Sequence, residues 1–470
     1  MPSGYIADPV THSSLPTVAV IGAGITGLTA AFRLHQRGFA VKVFEQAAHP
    51  GGSIRTYREA GYLIEGGPNT LQLGASEVKQ LIKDIGLEPA MQVAGATAKK
   101  RFIVRGGKFV PVPMGPGSFF STPLFSFRTK AAIFAELLSR RRERTADLNL
   151  AELVRTHFTQ ELVDYALNPL IAGIYAGDPA MLSVRHAFPM LWEAERSHGS
   201  LLRGMMAAGK ARKARGESGP ASIVSFKDGL QSLTDTLAAK LPAGSVLCGA
   251  AVETVIPGRP HRIAWRQYGQ TATGDFDLIV LALPATALAQ LVIGSGAERP
   301  LAVLDEIIQP PVSSLFLGYR REQVTHPLDG FGGLVPAVEH RSVLGILFSS
   351  TLFPNRAPEG QVGLTVFAGG SRAPDLARLP TDALLAQIAR DLHDLVGVSS
   401  PPLFVRHTFW PRAIPQYTLG YERFLDAIGH VEQSAPGLFV GGNVRGGISM
   451  QDCIKSGEKL ARQTALFAAK

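Results

Sequence analysis

The chain has 470 residues, of which 46% are hydrophobic, so one simple core is excluded and a globular protein of two or three domains is expected. Its two cysteines, Cys248 and Cys453, exclude a disulfide framework and a cysteine-rich metal site and favour a reducing compartment. The formal net charge of +9 suits nucleic acid, anionic lipid or an acidic small molecule, and the chain lacks the apolar run of about twenty residues that a transmembrane helix needs.

The first predicted unit is strand, tight turn, helix and strand over Thr17–Glu45. Gly22 permits the turn, Gly24 lets backbone amides approach a pyrophosphate, and Gly27 lets the helix pack close to the strand. A helix N-terminus then faces the phosphates, where its partial positive charge favours an anion. Glu45 ends the second strand, where a carboxylate can accept both ribose hydroxyls. The pattern therefore predicts a dinucleotide site, against the alternative of a plain tight turn.

A second glycine-rich stretch extends the predicted phosphate contact. His49–Thr56 (HPGGSIRT) carries Gly51, Gly52 and Arg55, and Tyr62–Thr70 reads YLIEGGPNT. Such reach exceeds what a nicotinamide cofactor needs and favours FAD, unless the stretch is an ordinary surface turn.

An aromatic segment follows a predicted helix, Glu77–Leu87, and a predicted strand pair, Lys99–Pro113. Met114–Phe127 contains four phenylalanines among glycines and prolines, and it leads through Lys130–Leu138 into a run of arginines, Arg140–Arg144. A hairpin of aromatics beside a basic helix can rest on an anionic membrane surface. The same phenylalanines can equally line an internal pocket.

The next part of the chain is predicted to be helical. Helices are expected over Leu150–Phe158, Glu161–Tyr175 (with a break at Asn168 and Pro169) and Leu182–Met206. A basic linker is expected over Gly204–Pro220, where Lys210–Arg215 reads KARKAR. Neither this run nor the earlier arginines is interleaved with the aromatic platforms that single-stranded nucleic acid requires, so each favours a solvated face and no nucleic-acid partner is expected.

The C-terminal half returns to strand and helix patterns. Helices are predicted over Ser225–Pro242 and Thr381–Val396. Strands are predicted at Ser245–Leu247, Ala251–Ile256, Phe276–Pro284, Val312–Tyr319, Leu334–Val335, Ser342–Phe348 and Gln361–Ala368. Gly437–Leu466 repeats the order strand, glycine turn and helix, which predicts a second glycine-rich helix start beside the same cofactor.

Several motifs together resemble the protoporphyrinogen oxidase family. The wider amine oxidase and phytoene desaturase group is indicated by VAVIGAGITGL, PGGSIRT and GNVRGGISMQDC. The narrower resemblance lies in EGGPNT, KKRFIVR, GIYAGDP followed by LS and by FPMLWEAERSHGS, and LFSSTLFPNRAPEG, which are spread over almost the whole chain.

The resemblance implies an α/β fold: a discontinuous Rossmann-like FAD-binding domain, a mixed-sheet substrate domain and a helical membrane-facing insertion. The implied FAD-binding segments are 1–75, 221–295 and 426–470, the substrate-domain segments are 76–100 and 296–425, and the helical segment is 101–206. The implied contacts to non-covalent FAD are Gly22, Ala23, Gly24, Ile25, Thr26, Gly27, Glu45, Gln46, Gly52, Ser53, Arg55, Gly67, Pro68, Asn69, Thr70, Val252, Trp410, Gly442, Asn443, Ile448, Ser449 and Met450.

The resemblance also implies a substrate site for a tetrapyrrole. Arg101 matches the arginine that pairs with a propionate; Leu334, Leu347 and Phe367 match residues that sandwich the rings; Ala176 and Gly177 match the backbone of the cavity. A large apolar ring with two propionates suits apolar walls and one guanidinium, which binds a carboxylate bidentately. For Arg101 an internal ion pair is the alternative, and for the three wall residues it is ordinary core packing.

The implied reaction is oxidation of protoporphyrinogen IX to protoporphyrin IX, with three hydride transfers to flavin and reoxidation by oxygen. No side chain is assigned as a general base, and no metal is expected, because the cofactor supplies the chemistry. Coproporphyrinogen oxidation, a carotenoid desaturase or amine oxidase activity, and a non-catalytic flavin-binding partner of a membrane complex are the alternatives.

The expected location is the cytoplasm, at the cytoplasmic face of a membrane, with the protein resting on the surface. The first sixteen residues lack the basic start and apolar middle of a secretory signal and predict a short disordered lead. A homodimer is compatible with the sequence, although no motif requires one.

Overall fold

The computed structural model describes residues 15–139, 146–214 and 222–470. The strands are β1 Thr17–Ile21, β2 Ala40–Glu45, β3 Thr56–Glu59, β4 Tyr62–Glu65, β5 Leu71–Leu73, β6 Met91–Val93, β7 Phe102–Arg105, β8 Lys108–Pro111, β9 Ser222–Phe226, β10 Val246–Cys248, β11 Ala250–Ile256, β12 His261–Gln267, β13 Gln270–Phe276, β14 Leu278–Leu281, β15 Val292–Ile293, β16 Val312–Arg320, β17 Gly332–Leu334, β18 Val343–Leu347, β19 Gln361–Gly369, β20 Phe404–Trp410 and β21 Leu438–Val440. The helices are α1 Ile25–Gln36, α2 Ser76–Asp84, α3 Pro116–Ser121, α4 Phe127–Glu136, α5 Leu150–His157, α6 Gln160–Leu162, α7 Asn168–Tyr175, α8 Val184–Ala187, α9 Pro189–His198, α10 Leu201–Ala214, α11 Gln231–Ala239, α12 Ala285–Gln290, α13 Ser349–Leu352, α14 Pro374–Ala377, α15 Thr381–Val396, α16 Glu422–Ser434 and α17 Met450–Ala468.

A five-stranded parallel sheet forms the nucleotide-binding unit, in the order β10, β2, β1, β14, β21. Helices α1 and α17 cover one face, and the β11–β13 sheet packs on the other, where Phe44 contacts Trp265 and Phe276. Burial on both faces explains why β1 and β14 are continuous apolar runs without alternation. The last helix, α17, packs on α1 so closely that a Cβ at Gly457 would lie 2.5 Å from the carbonyl oxygen of Thr26. The predicted strands at both ends of the chain therefore join one sheet.

Three smaller sheets adjoin this unit: the β3–β4 ribbon, the order β5, β9, β6, and the order β13, β12, β11, β15. The helix predicted over Ser225–Pro242 begins later than expected, because β9 ends at Phe226 and α11 begins at Gln231. The segment 76–100 differs from its implied place in the substrate domain. Its helix α2 buries Val78, Leu81 and Ile82 in the nucleotide-binding core, since its apolar face meets that core.

The second large unit is a seven-stranded sheet in the order β20, β16, β19, β18, β17, β7, β8. Helix α15 covers one face with Leu384, Ile388, Leu392 and Leu395, an apolar stripe at helical spacing, as predicted over Thr381–Val396. The strand pair predicted over Lys99–Pro113 is confirmed as β7 and β8, and it lengthens this sheet at one edge. The opposite face is turned towards the candidate site.

The helical segment departs from the prediction in three places. The aromatic stretch forms two short helices, α3 and α4, instead of a hairpin. A π-helical turn at Val163–Leu167 runs directly into α7, so Asn168 and Pro169 do not break the helix. The proline, which has no backbone N–H to donate, lies directly after this wider turn. Helix α10 continues to Ala214, so most of the predicted basic linker is helical.

Some apolar side chains of the aromatic stretch are buried inside the protein, and others are exposed on its surface. Leu124 and Phe125 are buried, whereas Phe120 and Phe127 are 60% and 86% exposed. The arginines at 140–144, Arg215 and residues 1–14 of the sixteen-residue predicted disordered lead lie outside the described residues. None of the helices in the described part of the chain is long and apolar enough to cross a bilayer.

Candidate active site

The turn between β1 and α1 has the geometry of a phosphate site. Gly22 has φ +102°, and a Cβ on Gly27 would lie 1.9 Å from the Gly22 carbonyl oxygen, so both positions require glycine. By contrast, a Cβ on Gly24 would meet no protein atom within 4 Å. In the described structure no side chain caps α1, and its first turn carries no acidic residue. The open space at Gly24 and the uncapped helix N-terminus fit a pyrophosphate.

The carboxylate of Glu45 is oriented by the same turn. It is 9% exposed, and its oxygens accept hydrogen bonds from the backbone N–H groups of Ala23 and Ala47, both at 2.9 Å. Each carboxylate oxygen has two lone pairs, so both can also accept from ribose hydroxyls. Gln46, the next residue, is exposed beside it.

The second glycine-rich loop joins the first. The Gly51 N–H donates to the Ala23 carbonyl at 2.8 Å, and Gly51 and Gly24 form an isolated parallel bridge. A Cβ on Gly52 would approach the Gly24 Cα to 3.3 Å. The two loops predicted to contact phosphates are therefore one continuous backbone surface.

Trp410 connects this surface to the seven-stranded sheet. Its indole N–H donates to the Gly66 carbonyl at 3.0 Å, and the Arg55 guanidinium lies 5.6 Å from the centre of its ring. A Cβ on Gly67 would lie 1.9 Å from the Ser53 carbonyl oxygen, so the chain is closely packed there. Pro68, Asn69 and Thr70 follow and are half-buried, and the Asn69 amide donates to the Gly67 carbonyl at 3.0 Å.

Sequence reasoning missed a buried ion pair behind this loop. Glu65 and Arg356 have side chains 4% and 3% exposed, with 3.8 Å between the charged atoms. Burial raises the pKa of Glu65, against hydrogen bonds from the Thr56 hydroxyl and the Leu230 N–H. Burial lowers the pKa of Arg356. Glu65 lies in the motif EGGPNT, and Arg356 lies in the motif LFPNRAPEG. Both motifs are visible in the sequence, but nothing in the sequence indicates that they are in contact.

The C-terminal glycine loop lies against the first helix. Gly442 has φ +102°, and its N–H donates to the Ser456 hydroxyl at 2.9 Å. Ser449 caps α17, where its hydroxyl oxygen accepts from the Asp452 N–H at 3.1 Å. The hydroxyl of Thr26 donates to the carbonyl of Cys453 at 3.0 Å, so α1 and α17 meet near their N-termini. Asn443 and Ile448 are half-buried on this loop, and Met450 is buried at the start of α17.

The predicted substrate residues share one face of the seven-stranded sheet. Leu334 and Phe367 both pair with Gly345, and Leu347, two residues further along β18, therefore projects to the same side. The same alternation places Trp410 on this side, because Trp410 and Gly369 both pair with Val312. Leu334, Leu347 and Phe367 are half-buried, unlike the fully buried residues of the α15 face.

Arg101 stands one residue before β7, two residues from Ile103, which pairs with Leu334. The alternation of a strand therefore directs Arg101 to the Leu334 side of the sheet. Its guanidinium is exposed and lies 5.1 Å from the ring centre of Phe331. Among the described residues no carboxylate lies within ion-pair distance of Arg101, so the alternative of an internal ion pair is not observed.

Helix α7 lies over this face and ends in the predicted cavity turn. A Cβ on Gly173 would come within 2.6 Å of the Leu334 side chain, and Ala172 and Ala176 pack with Phe367. Ala176 has φ +50°, and its carbonyl accepts from the Ser371 N–H at 2.8 Å. Gly177 and the wall residues are thus brought together, whereas Val252 lies on β11 in a different sheet. The individual ligand contacts of all these residues stay predictions.

Comparison with known proteins agrees with this geometry. Residues 25–465 match the family model described as flavin containing amine oxidoreductase, and the chain therefore belongs to that family of FAD enzymes. The glycine loops, the open space at Gly24 and the orientation of Glu45 fit this cofactor.

Relatives within the family are more specific. The chain is 34% identical to protoporphyrinogen oxidase 2, chloroplastic/mitochondrial, of Arabidopsis thaliana, over 98% of this chain and 96% of the relative. It is 26% identical to coproporphyrinogen III oxidase of Bacillus subtilis (strain 168), over 94% of this chain and 96% of the relative. A crystal structure from Exiguobacterium sp. 255-15, provisionally assigned as a protoporphyrinogen oxidase, superposes on this chain with a TM-score of 0.80. The superposition covers 97% of this chain and all of that chain, at 23% identity. This similarity supports the fold alone.

Proposed function

We propose that this chain oxidises protoporphyrinogen IX to protoporphyrin IX with bound FAD and oxygen, a late step of haem synthesis. The observation that carries the proposal is the shared face of Leu334, Leu347, Phe367 and Trp410, with Arg101 at its edge. Apolar walls with one exposed guanidinium suit a ring that carries propionates. The identity to a plant protoporphyrinogen oxidase supports this substrate over the alternatives.

The residues of the chain bind and place the substrate. Arg101 holds one propionate as a bidentate pair. Leu334, Leu347 and Phe367 exclude water from the ring. FAD supplies a two-electron acceptor that oxygen restores, so three cycles remove six electrons and six protons and form three molecules of hydrogen peroxide. Each pyrrole proton leaves to solvent or to a backbone carbonyl, because no side chain on this face is assigned as a base.

The test is aerobic turnover of the purified, FAD-loaded chain. Protoporphyrinogen and coproporphyrinogen are supplied separately, and porphyrin fluorescence and peroxide are followed together. Faster turnover of protoporphyrinogen is expected. The reverse preference would replace it with the coproporphyrinogen alternative, which the Bacillus relative represents. Turnover of neither compound despite bound FAD would overturn the proposal.

Arg101→Ala tests the propionate contact. The loss of a charge-assisted hydrogen bond of about 1.5–3 kcal/mol predicts a KM roughly ten- to a hundredfold higher, with FAD still bound. Lys108→Ala removes an exposed charge from the same β7–β8 hairpin and is the matched control. A KM equal in the two variants would contradict the role of Arg101.

We further propose that the α3–α4 segment rests on an anionic membrane surface on the cytoplasmic side. Phe127 and Leu138 are 86% and 83% exposed, and the rings of Phe120 and Phe134 stack with centres 5.5 Å apart at the same surface. Phe127→Ser/Leu138→Ser should reduce co-sedimentation with anionic liposomes at low salt. No co-sedimentation of the wild type would refute the proposal. A homodimer stays a prediction that sedimentation velocity can test.

A further inference from the structure

A short segment between β20 and α16 contacts both halves of the candidate site. Its residues Gln416 and Tyr417 are 3% and 4% exposed, and neither has a role in the function proposed above. Their side chains bond to different parts of the molecule. Here one side chain contacts the cavity turn that ends α7, and the other contacts the C-terminal glycine loop.

Tyr417 connects two points of the glycine loop. Its hydroxyl donates to the Asn443 carbonyl at 2.6 Å and accepts from the Gly447 N–H at 3.0 Å. Burial raises the pKa of the Tyr417 hydroxyl, which therefore stays protonated and able to donate. The neighbouring Tyr421 hydroxyl makes a single donation to the Val444 carbonyl at 2.8 Å. Tyr417 thus fixes the loop at two positions: Asn443, itself a predicted flavin contact, and Gly447, the residue before the predicted contact Ile448.

Gln416 fixes the cavity turn. Its amide nitrogen donates to the carbonyls of Tyr175 at 2.8 Å and Ile414 at 2.9 Å. Its amide oxygen lies so near Gly177 that a Cβ there would approach it to 2.1 Å. The backbone carbonyl of Tyr417 accepts from the Ser183 N–H at 2.8 Å, which attaches the segment to the helical part of the chain as well.

We propose that Tyr417 is a positioning residue for the flavin and Gln416 a positioning residue for the substrate cavity, so that this segment sets the distance between the two. The inference rests on the proposed function for its substrate half only. A rigid link of this kind keeps the reacting atoms of two separately bound molecules at a fixed separation, where small displacements cost large factors in rate.

The first experiment compares Tyr417→Phe with Tyr421→Phe in the full chain. Both variants keep a buried ring, and the two rings lie 4.6 Å apart in the same cluster. Tyr417→Phe leaves a carbonyl and an N–H without partners, whereas Tyr421→Phe leaves only a carbonyl, which is the less costly loss. The Kd for FAD should rise about tenfold in Tyr417→Phe, equivalent to about 1.4 kcal/mol, and by clearly less in Tyr421→Phe.

The absorption and fluorescence of bound FAD give a readout that a purely structural role would not change. A shifted flavin spectrum and a lower kcat at saturating FAD, with KM unchanged, are expected for Tyr417→Phe. A wild-type Kd and spectrum, or equal losses in both variants, would overturn the role of Tyr417. The Kd needs no substrate, so it decides this inference even if neither porphyrinogen is oxidised.

Gln416→Leu tests the proposed role of Gln416 in positioning the substrate cavity. It also tests the role of the whole segment if Tyr417→Phe does not fold. It removes the bond to Tyr175 and leaves the Tyr417 hydroxyl in place. The KM for the porphyrinogen should rise while the Kd for FAD stays at its wild-type value. A raised Kd for FAD with an unchanged KM would contradict the assignment of Gln416 to the substrate cavity and of Tyr417 to the flavin.

Discussion

Arg356→Met should destabilise the protein and its FAD site together. The substitution keeps most of the buried volume and removes the charge that faces Glu65 at 3.8 Å. It also removes the donation from the guanidinium to the Ser225 hydroxyl at 2.7 Å. Glu65 then remains in the interior with only its bonds from Thr56 and Leu230.

The magnitude follows from burial. Breaking a buried ion pair costs about 3–5 kcal/mol, because one charge is left without its partner. The separation of 3.8 Å and the two remaining hydrogen bonds of Glu65 place this case near the lower end, at about 3 kcal/mol. For 470 residues the entropy of unfolding is about 1 kcal/mol/K, at about 2.1 cal/mol/K per residue, so the melting temperature should fall by roughly 3 °C.

The assay is thermal unfolding of the FAD-loaded chain, followed by flavin release and circular dichroism. Arg58→Met is the matched control, because its ion pair with Asp228 is exposed and should contribute almost nothing. Glu65→Gln/Arg356→Met should recover at least half of the loss, since no charge is then left unpaired. A melting temperature for Arg356→Met within the error of the Arg58→Met value would refute the reasoning.

The pH dependence gives a second check on the same pair. Burial raises the pKa of Glu65, and Arg356 opposes this rise, so its removal raises that pKa further. An acid with a raised pKa in the folded state binds its proton more tightly there, and stability is lost as pH rises from its ordinary range towards the folded value. The deficit of Arg356→Met should therefore be smaller near pH 5 than near pH 8.

Two further predictions concern the glycine turn and the helical segment. Gly27→Ala should prevent folding of the FAD site, because its Cβ would lie only 1.9 Å from the nearest backbone oxygen. Gly24→Ala should leave the apo-protein folded, as measured by circular dichroism, and should lower the affinity for FAD in titration. Equal behaviour of the two variants would contradict the assignment. Burial alone would raise the pKa of Glu161, but hydrogen bonds from Ser126 and Arg105 lower it from 4.5 to about 2. The stabilisation by Glu161 is present above pH 4.5 and lost as pH falls towards 2, so Glu161→Gln should cost about 1.5 kcal/mol of unfolding free energy at pH 7 after solvent screening. The variant should also lose less stability than the wild type between pH 4.5 and pH 2, as measured by denaturant unfolding. An equal loss in both proteins would exclude this role.

The sequence predicts elements whose pattern is local. The glycine spacing of the first turn and the apolar period of α15 each follow from a few neighbouring residues, and both are found in the structure. The hairpin β12–β13 was not predicted, because its exposed face carries polar residues that give no continuous apolar run.

The contacts that close the site are long-range, and local pattern carries no information on them. Glu65 meets Arg356 from a distant part of the chain, and a tyrosine such as Tyr417 reads as core packing until its two hydroxyl partners are known. The shared face of Leu334 and Phe367 depends on strand register, which becomes visible only when the strands are paired.

The packing of α17 on α1 has a consequence for how the protein is made. Gly457 and Cys453, near the end of the chain, touch Thr26, near its beginning. During synthesis the first glycine loop leaves the ribosome long before the helix at whose start the predicted contacts Ser449 and Met450 lie, and domains otherwise begin to fold as they emerge. The full set of predicted FAD contacts is therefore available only after the last helix has been synthesised.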